Sequence, residues 1–228
     1  MISEYDRLFG DQTLSELVTD LAAPDGTPTA VARARAWEGM VKESEVSARD
    51  VAEPWASFIV ALAKQAARES ARERLLALAQ NPDAEPRVRL WSFTALRAEG
   101  WQPSEDTARE LLGVVVEVPV KGTYDVLAAY SDGAVRFLGH VGQSSIVEGS
   151  SPLRPNVRNV LAAAGPLVAA DVVVREKPAK QGPPDHLRLS ALTPAGVRRV
   201  EVPWSDVEAG GPYVAFFTAA TKLFDDVA

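Results

Sequence analysis

A chain of 228 residues, 46% hydrophobic and 24% charged, can bury a core as one large domain or two small ones. It has no cysteine, which removes disulfides, thiolate nucleophiles and Cys-built zinc sites. A formal net charge of −7 argues against a protein whose main task is gripping phosphate backbones.

The first residues, Met1 to Asp6, are acidic and lack the basic start and apolar core of a signal peptide. No apolar stretch reaches the roughly 20 residues of a membrane span. These features point to a soluble cytoplasmic protein. In chain order, Thr13-Leu14-Ser15-Glu16 is a capping box opening a helix with Leu14, Leu17, Val18 and Leu21 on one face, stopped before Pro24. Thr27-Pro28 opens a second helix to about Glu45. Trp55, Phe58, Ile59, Leu62 and Ala66 give a third apolar stripe, and Ser70-Ala71-Arg72-Glu73 a second capping box. Asn81-Pro82-Asp83 is a turn, and Pro86 starts a helix closed by Gly100. Glu53-Pro54-Trp55 echoes Glu85-Pro86 with Trp91, a spacing in the range of helical-hairpin repeats. A small irregular bundle is the better account, since at least three repeats are normally needed. Arg33/Arg35, Arg68/Arg72/Arg74 and Arg87/Arg89 sit among acids at helical spacing, the pattern of a solvated, ion-paired face.

A short helix begins at Ser104, and from Gly113 the chain reads mostly as strands. Only Gly113 separates helix from strand there, whereas a linker carries Pro, Gly or Ser over several residues. The boundary is therefore placed between Gly100 and Pro103, giving a helical bundle at 1–102 and an α+β domain at 103–228. Gly113 to Val120 is almost all valine and suits a strand buried on both faces, with Pro119 marking its end or an edge. Asp132-Gly133 between two β-rich runs predicts a two-residue hairpin turn. That turn pairs Tyr130 with Val135, Leu127 with Leu138 and Asp125 with His140.

Gln143 to Glu148 is a further short strand, Leu153 to Ala164 a helix ended by Gly165-Pro166, and Ala170 to Arg175 a strand. An exposed Pro/Gly/Lys-rich loop spans Lys177 to Asp185. A second hairpin pairs His186–Thr193 with Val197–Val202 around Pro194-Ala195-Gly196, and a helix from about Pro212 closes the chain. The order from Ser104 onward, helix, three strands, helix, two or three strands, helix, resembles profilin-like, roadblock-like and bacterial secretion-chaperone-like domains. The resemblance rests on element order. It implies a mainly antiparallel sheet with flanking helices and an adaptor, chaperone or small-ligand-sensing role.

Chemistry-bearing residues are few. His140 opposite Asp125 forms a candidate acid–base pair, because a carboxylate can orient an imidazole, with Ser144 or Ser145 as a nucleophile. A histidine ending a strand beside a turn explains the same pair structurally, and no Gly-x-Ser-x-Gly elbow accompanies it. A metal site from His140, His186, Asp125 and Glu148 lacks any ligand spacing of specificity. Gly139-His140-Val141-Gly142 lacks the Lys-Ser/Thr of a phosphate loop. Of five tryptophans, Trp37, Trp55 and Trp91 lie on apolar helix faces, while Trp101 and Trp204 sit at element ends and are the candidate partner-binding residues. The expectation is a non-enzymatic bacterial-type cytoplasmic module, adaptor, chaperone or immunity-like, binding another protein with a basic surface and needing no cofactor or metal. Nucleic acid and membrane are not its expected partners, and homodimerisation through a sheet edge remains open. The competing expectation is a small-ligand sensor or hydrolase-like enzyme with a pocket near Asp125 and His140.

Overall fold

A computed structural model describes residues 76–98, 100–147, 152–170, 173–174 and 185–227, together with Leu8 and Glu73. The helices expected over 13–21, 28–45 and 55–66 lie outside the described residues. So do Ser70, Ala71 and Arg72 of the second capping box, the Glu53-Pro54-Trp55 copy of the expected repeat, and loop residues 177–184. The chain divides into two compact units, Met1–Gln102 and Pro103–Ala228.

In the first unit, helical residues 76–80 lead through the Asn81-Pro82-Asp83 turn into helix α1, Pro86–Ala98. Phe93, Leu96, Val88 and Leu90 are buried, and the Arg89 side chain, buried among them, donates to the Ala79 carbonyl at 2.8 Å. The helix ends as a Schellman motif: Gly100 N–H donates to Arg97 O and Trp101 N–H to Leu96 O.

The second unit is α+β. Helix α2 (Glu105–Ala108), capped by the Ser104 side chain, precedes a meander of β1 (Gly113–Val120), β2 (Thr123–Tyr130), β3 (Val135–Leu138) and β4 (Ser144–Val147). Helices α3 (Arg154–Ala163) and α4 (Gly165–Ala169) follow, then β5 (Val173–Val174), β6 (His186–Thr193), β7 (Gly196–Pro203), α5 (Trp204–Glu208) and α6 (Val214–Val227). The strands form one antiparallel sheet in the order β4-β3-β2-β1-β6-β7-β5. The first hairpin turns at Lys121-Gly122, where both residues have positive φ, the twist-matched two-residue turn. α3 ends at Ala163, just before Gly165-Pro166 as expected, and these two residues at once start the short α4, because proline is tolerated in a first turn.

Gly113 is strand, not linker. It pairs with Tyr130 on one side and Leu192 on the other. A Cβ here would sit 2.8 Å from the Tyr130 ring and 3.0 Å from the Ala129 carbonyl, so the crowding itself demands glycine. Pro119 has no N–H to offer, and the β1–β6 ladder stops at Glu117–Arg188, before it would be missed.

The β2–β3 hairpin corrects the expected register by one residue. Ala129 pairs with Val135, Leu127 with Phe137 and Val126 with Leu138. Tyr130 O accepts from Gly133 N–H, and Tyr130 N–H donates to Ala134 O. Gly133 alone of the Asp132-Gly133 pair has positive φ, so Ser131 and Asp132 occupy a type I turn and Gly133 the bulge after it. The Asp132 carboxylate accepts from Ala134 N–H at 2.9 Å and fixes that geometry. The shift puts Phe137, not Leu138, beside Leu127.

Alternation then sorts the strands into two faces. One carries Val114, Val116, Leu127, Ala129, Val135, Leu187, Leu189, Ala191 and Val202, packed against Val157 and Val160 of α3, Leu167 of α4, and Phe216, Ala220 and Leu223 of α6. Phe137 meets Phe224 edge-on at 6.0 Å, and Asn156 of α3 donates to Asp226 of α6 at 2.7 Å. The opposite face carries Val115, Glu117, Ala128, Tyr130, Arg188, Ser190, Leu192 and Arg199, all of them buried as well.

Candidate functional site

The Pro203-Trp204 junction makes a corner of the second unit. Proline closes β7, and α5 starts at once because Ser205, Asp206 and Glu208 favour a helix start over strand. The Trp204 backbone N–H donates to the Asp185 carbonyl at 2.8 Å, fastening the corner to the start of β6. The indole rests edge-on against Phe217 of α6, 5.4 Å between centroids, and its Nε1–H donates to Glu208 at 3.0 Å. It nevertheless stays 38% exposed, one of the few large apolar side chains left open among the described residues.

An open cleft of about 120 Å³ lies beside this corner, lined among others by Glu201, Pro203, Asp206, Val207, Pro212 and Tyr213. Gly211 N–H donates to the Asp206 carbonyl at 2.9 Å, which folds the α5–α6 connection back and brings Pro212 and Tyr213 opposite Asp206. Sequence reasoning singled out Trp204 but missed Asp206 and Tyr213, since only this loop closure joins them. A compositional signal was present: between Arg199 and Lys222 the chain carries Glu201, Asp206 and Glu208 and neither Lys nor Arg. Glu201 is engaged by the buried Arg188 at 3.1 Å. Asp206 is exposed and in no ion pair among the described residues. At the rim, Asp185 lies 2.8 Å from His186 Nδ1. The imidazole, and then Asp185's own backbone N–H, hold this carboxyl below the usual carboxylate range.

Asp125 and His140 also meet, by a route the expected register did not contain. With β2 and β3 shifted, His140 lies beyond β3 in a turn where Gly142 N–H donates to Gly139 O. Asp125, in β2, accepts the His140 backbone N–H at 2.7 Å and lies 2.8 Å from ring Nδ1, both through Oδ1. The two side chains are about one-fifth and one-quarter exposed. One carboxylate oxygen thus accepts the turn's N–H and orients the imidazole through Nδ1. Ser144 and Ser145 follow in β4.

Trp101 stacks on Phe93 at 5.5 Å, half-buried as the residue that completes the α1 cap. His186 is bonded to Asp185 and His140 to Asp125; Glu148, the fourth member of the expected metal set, lies outside the described residues. Among the described residues no group of three or more His, Asp or Glu gathers to hold a metal. No helix among them is long and apolar enough to cross a membrane. No family model, curated protein or solved structure matches this chain.

Proposed function

We propose that this protein is a non-enzymatic module, an adaptor, chaperone or immunity-like protein, that binds a basic protein partner at the Trp204 corner. The observation that carries the reading is a tryptophan left open beside acidic residues: Glu208 accepts from its indole, Asp185 from its backbone N–H through the main-chain carbonyl, and Asp206 is exposed two residues on. Large aromatics are common anchors of protein interfaces, and a rim of one charge sign selects a partner of the other. The order of strands and helices, like that of secretion-chaperone-like and roadblock-like domains, fits the same class of role.

The test is site-specific photo-crosslinking in the cells that make the protein. A crosslinker at exposed Ser205 should capture one other protein, and a crosslinker at exposed Arg158 on α3 should not. Trp204→Ala should abolish the Ser205 product. Equal labelling from both positions, or none from either, overturns the reading.

The Asp125–His140 contact supports a second reading, a small-ligand sensor or hydrolase-like site at the β3–β4 turn. A carboxylate 2.8 Å from Nδ1 is the arrangement that orients a general base. A ligand there must raise the melting temperature, by mass action on the native state. If His140→Ala abolishes such a shift the site is real; if no compound in a broad screen depends on His140, this reading falls.

A further inference from the structure

We infer that the cleft beside Trp204 is a receptor for an arginine side chain presented by the partner protein; this rests on the protein-binding reading above. Size comes first. A volume of about 120 Å³ suits the end of one side chain, well below the roughly 300–1,000 Å³ of cofactor and drug pockets.

The chemistry of the lining comes second. Pro203, Val207 and Pro212 supply apolar walls, Tyr213 an aromatic group, and Glu201 and Asp206 carboxylates. That combination suits a cation with an apolar stem. Glu201 is already shared with Arg188, and Glu208 with the Trp204 indole, whereas Asp206 carries its charge in no ion pair among the described residues. The vacancy in charge is therefore local and negative. With no Lys or Arg between Arg199 and Lys222, the loop and helix around the cleft offer no competing cation of their own.

Arginine fits better than lysine for physical reasons. Its guanidinium is planar, more weakly hydrated than an ammonium, able to take two carboxylates at once and able to stack on an aromatic ring. The adjacent open Trp204 face then covers the backbone or a neighbouring apolar residue of the same segment. Without that wider contact the cleft alone binds weakly.

The experiment is an NMR titration of the full chain with N-acetyl-argininamide, its neutral isostere N-acetyl-citrullinamide, and N-acetyl-lysinamide. Argininamide should move the amide signals of Asp206, Val207 and Tyr213 saturably, citrullinamide should not, and lysinamide should bind more weakly. Asp206→Asn, at an exposed position in no ion pair among the described residues, should weaken argininamide about threefold, the value of one exposed ion pair. A second variant, Tyr213→Leu, should also weaken it, and the melting temperature of each variant, compared with that of the unaltered chain, is the folding control. Identical responses to argininamide and citrullinamide, or shifts confined to other surfaces, overturn the inference. A Ser205 crosslink without argininamide binding would leave the protein-binding reading standing and remove this one; argininamide binding without any crosslinked protein would remove the protein-binding reading and overturn the assignment of the arginine to a partner protein.

Discussion

The two faces of the central sheet are buried to a similar degree by opposite chemistry. Toward α3, α4 and α6 the buried cluster of the strands is aliphatic and aromatic, with Arg198 bonded to the Ala170 carbonyl on the same face, and burial of the apolar groups is favourable at about 25 cal/mol per Å² without any directional requirement. On the other face β1, β6 and β7 place Glu117 opposite Arg188, Arg188 opposite Glu201, and Ser190 opposite Arg199. Arg188 and Arg199 approach Glu117 at 3.5 and 3.6 Å, Arg199 Nε donates to Ser190 at 3.0 Å, and the Arg188 guanidinium lies 4.7 Å from the centre of the Tyr124 ring. A fully buried carboxylate is tolerable only with such partners. The lesson is that one face tolerates volume-conserving exchange, whereas the other depends on register, because a slip of one residue would bury each charge against an aliphatic neighbour.

That contrast can be broken from its strongest point downward. Glu117→Ala leaves two buried arginines short of a counter-charge and should cost about 4 kcal/mol in urea unfolding. A loss below 1 kcal/mol would show that the polar face is not a coupled network. Leu189→Ala, on the aliphatic face of the neighbouring strand, should cost about 3 kcal/mol through lost transfer energy and a cavity, while Leu189→Met should cost about 1 kcal/mol. Gly113→Ala pushes a methyl into the Tyr130 ring, where both faces meet the start of β1, and should cost about 2 kcal/mol. Faster amide exchange at Ser131 and Leu112, whose N–H groups donate to Leu112 O and Leu192 O beside this point, would localise the damage.

The smallest effect belongs to the rim. Because Asp185 has a folded pKa lowered by His186, its contribution is present above the ordinary carboxylate pKa and is lost as pH falls through the folded value. His186→Ala should raise the Asp185 pKa toward its ordinary value in an NMR titration. It should leave neutral-pH stability nearly unchanged, since the carboxylate is exposed. A static Asp185 titration would assign the shift to its backbone alone.

Much of the second unit was legible residue by residue. The valine run from Gly113 could only be a doubly buried strand, Ser104 marked a helix cap, and Thr193 to Gly196 marked a tight turn. The hairpin register was not legible. Asp132-Gly133 is the signature of a turn with two positive φ angles, but the Asp132 side chain bonded to Ala134 N–H and kept its own residue in the ordinary region. The Asp125–His140 approach was legible as a pair and illegible as a geometry, since the turn rather than the ladder creates it. The acidic cleft was legible only as a run with carboxylates and no Lys or Arg, because its assembly depends on where the α5–α6 connection closes.

The sequence by itself determined most strands and the longer helices of the sheet unit, though not α4 or α5, and that this unit is α+β, since period-two alternation, valine content and caps act over a few residues. It also determined that Trp204 stands at an element end among acids. Only the tertiary structure decided that β1 lies between β2 and β6, that Glu117 meets Arg188 and Arg199 in the interior, and that Tyr213 comes round to Asp206. Those outcomes depend on contacts between residues far apart in the chain, and a turn that gains or loses one residue changes every partner beyond it.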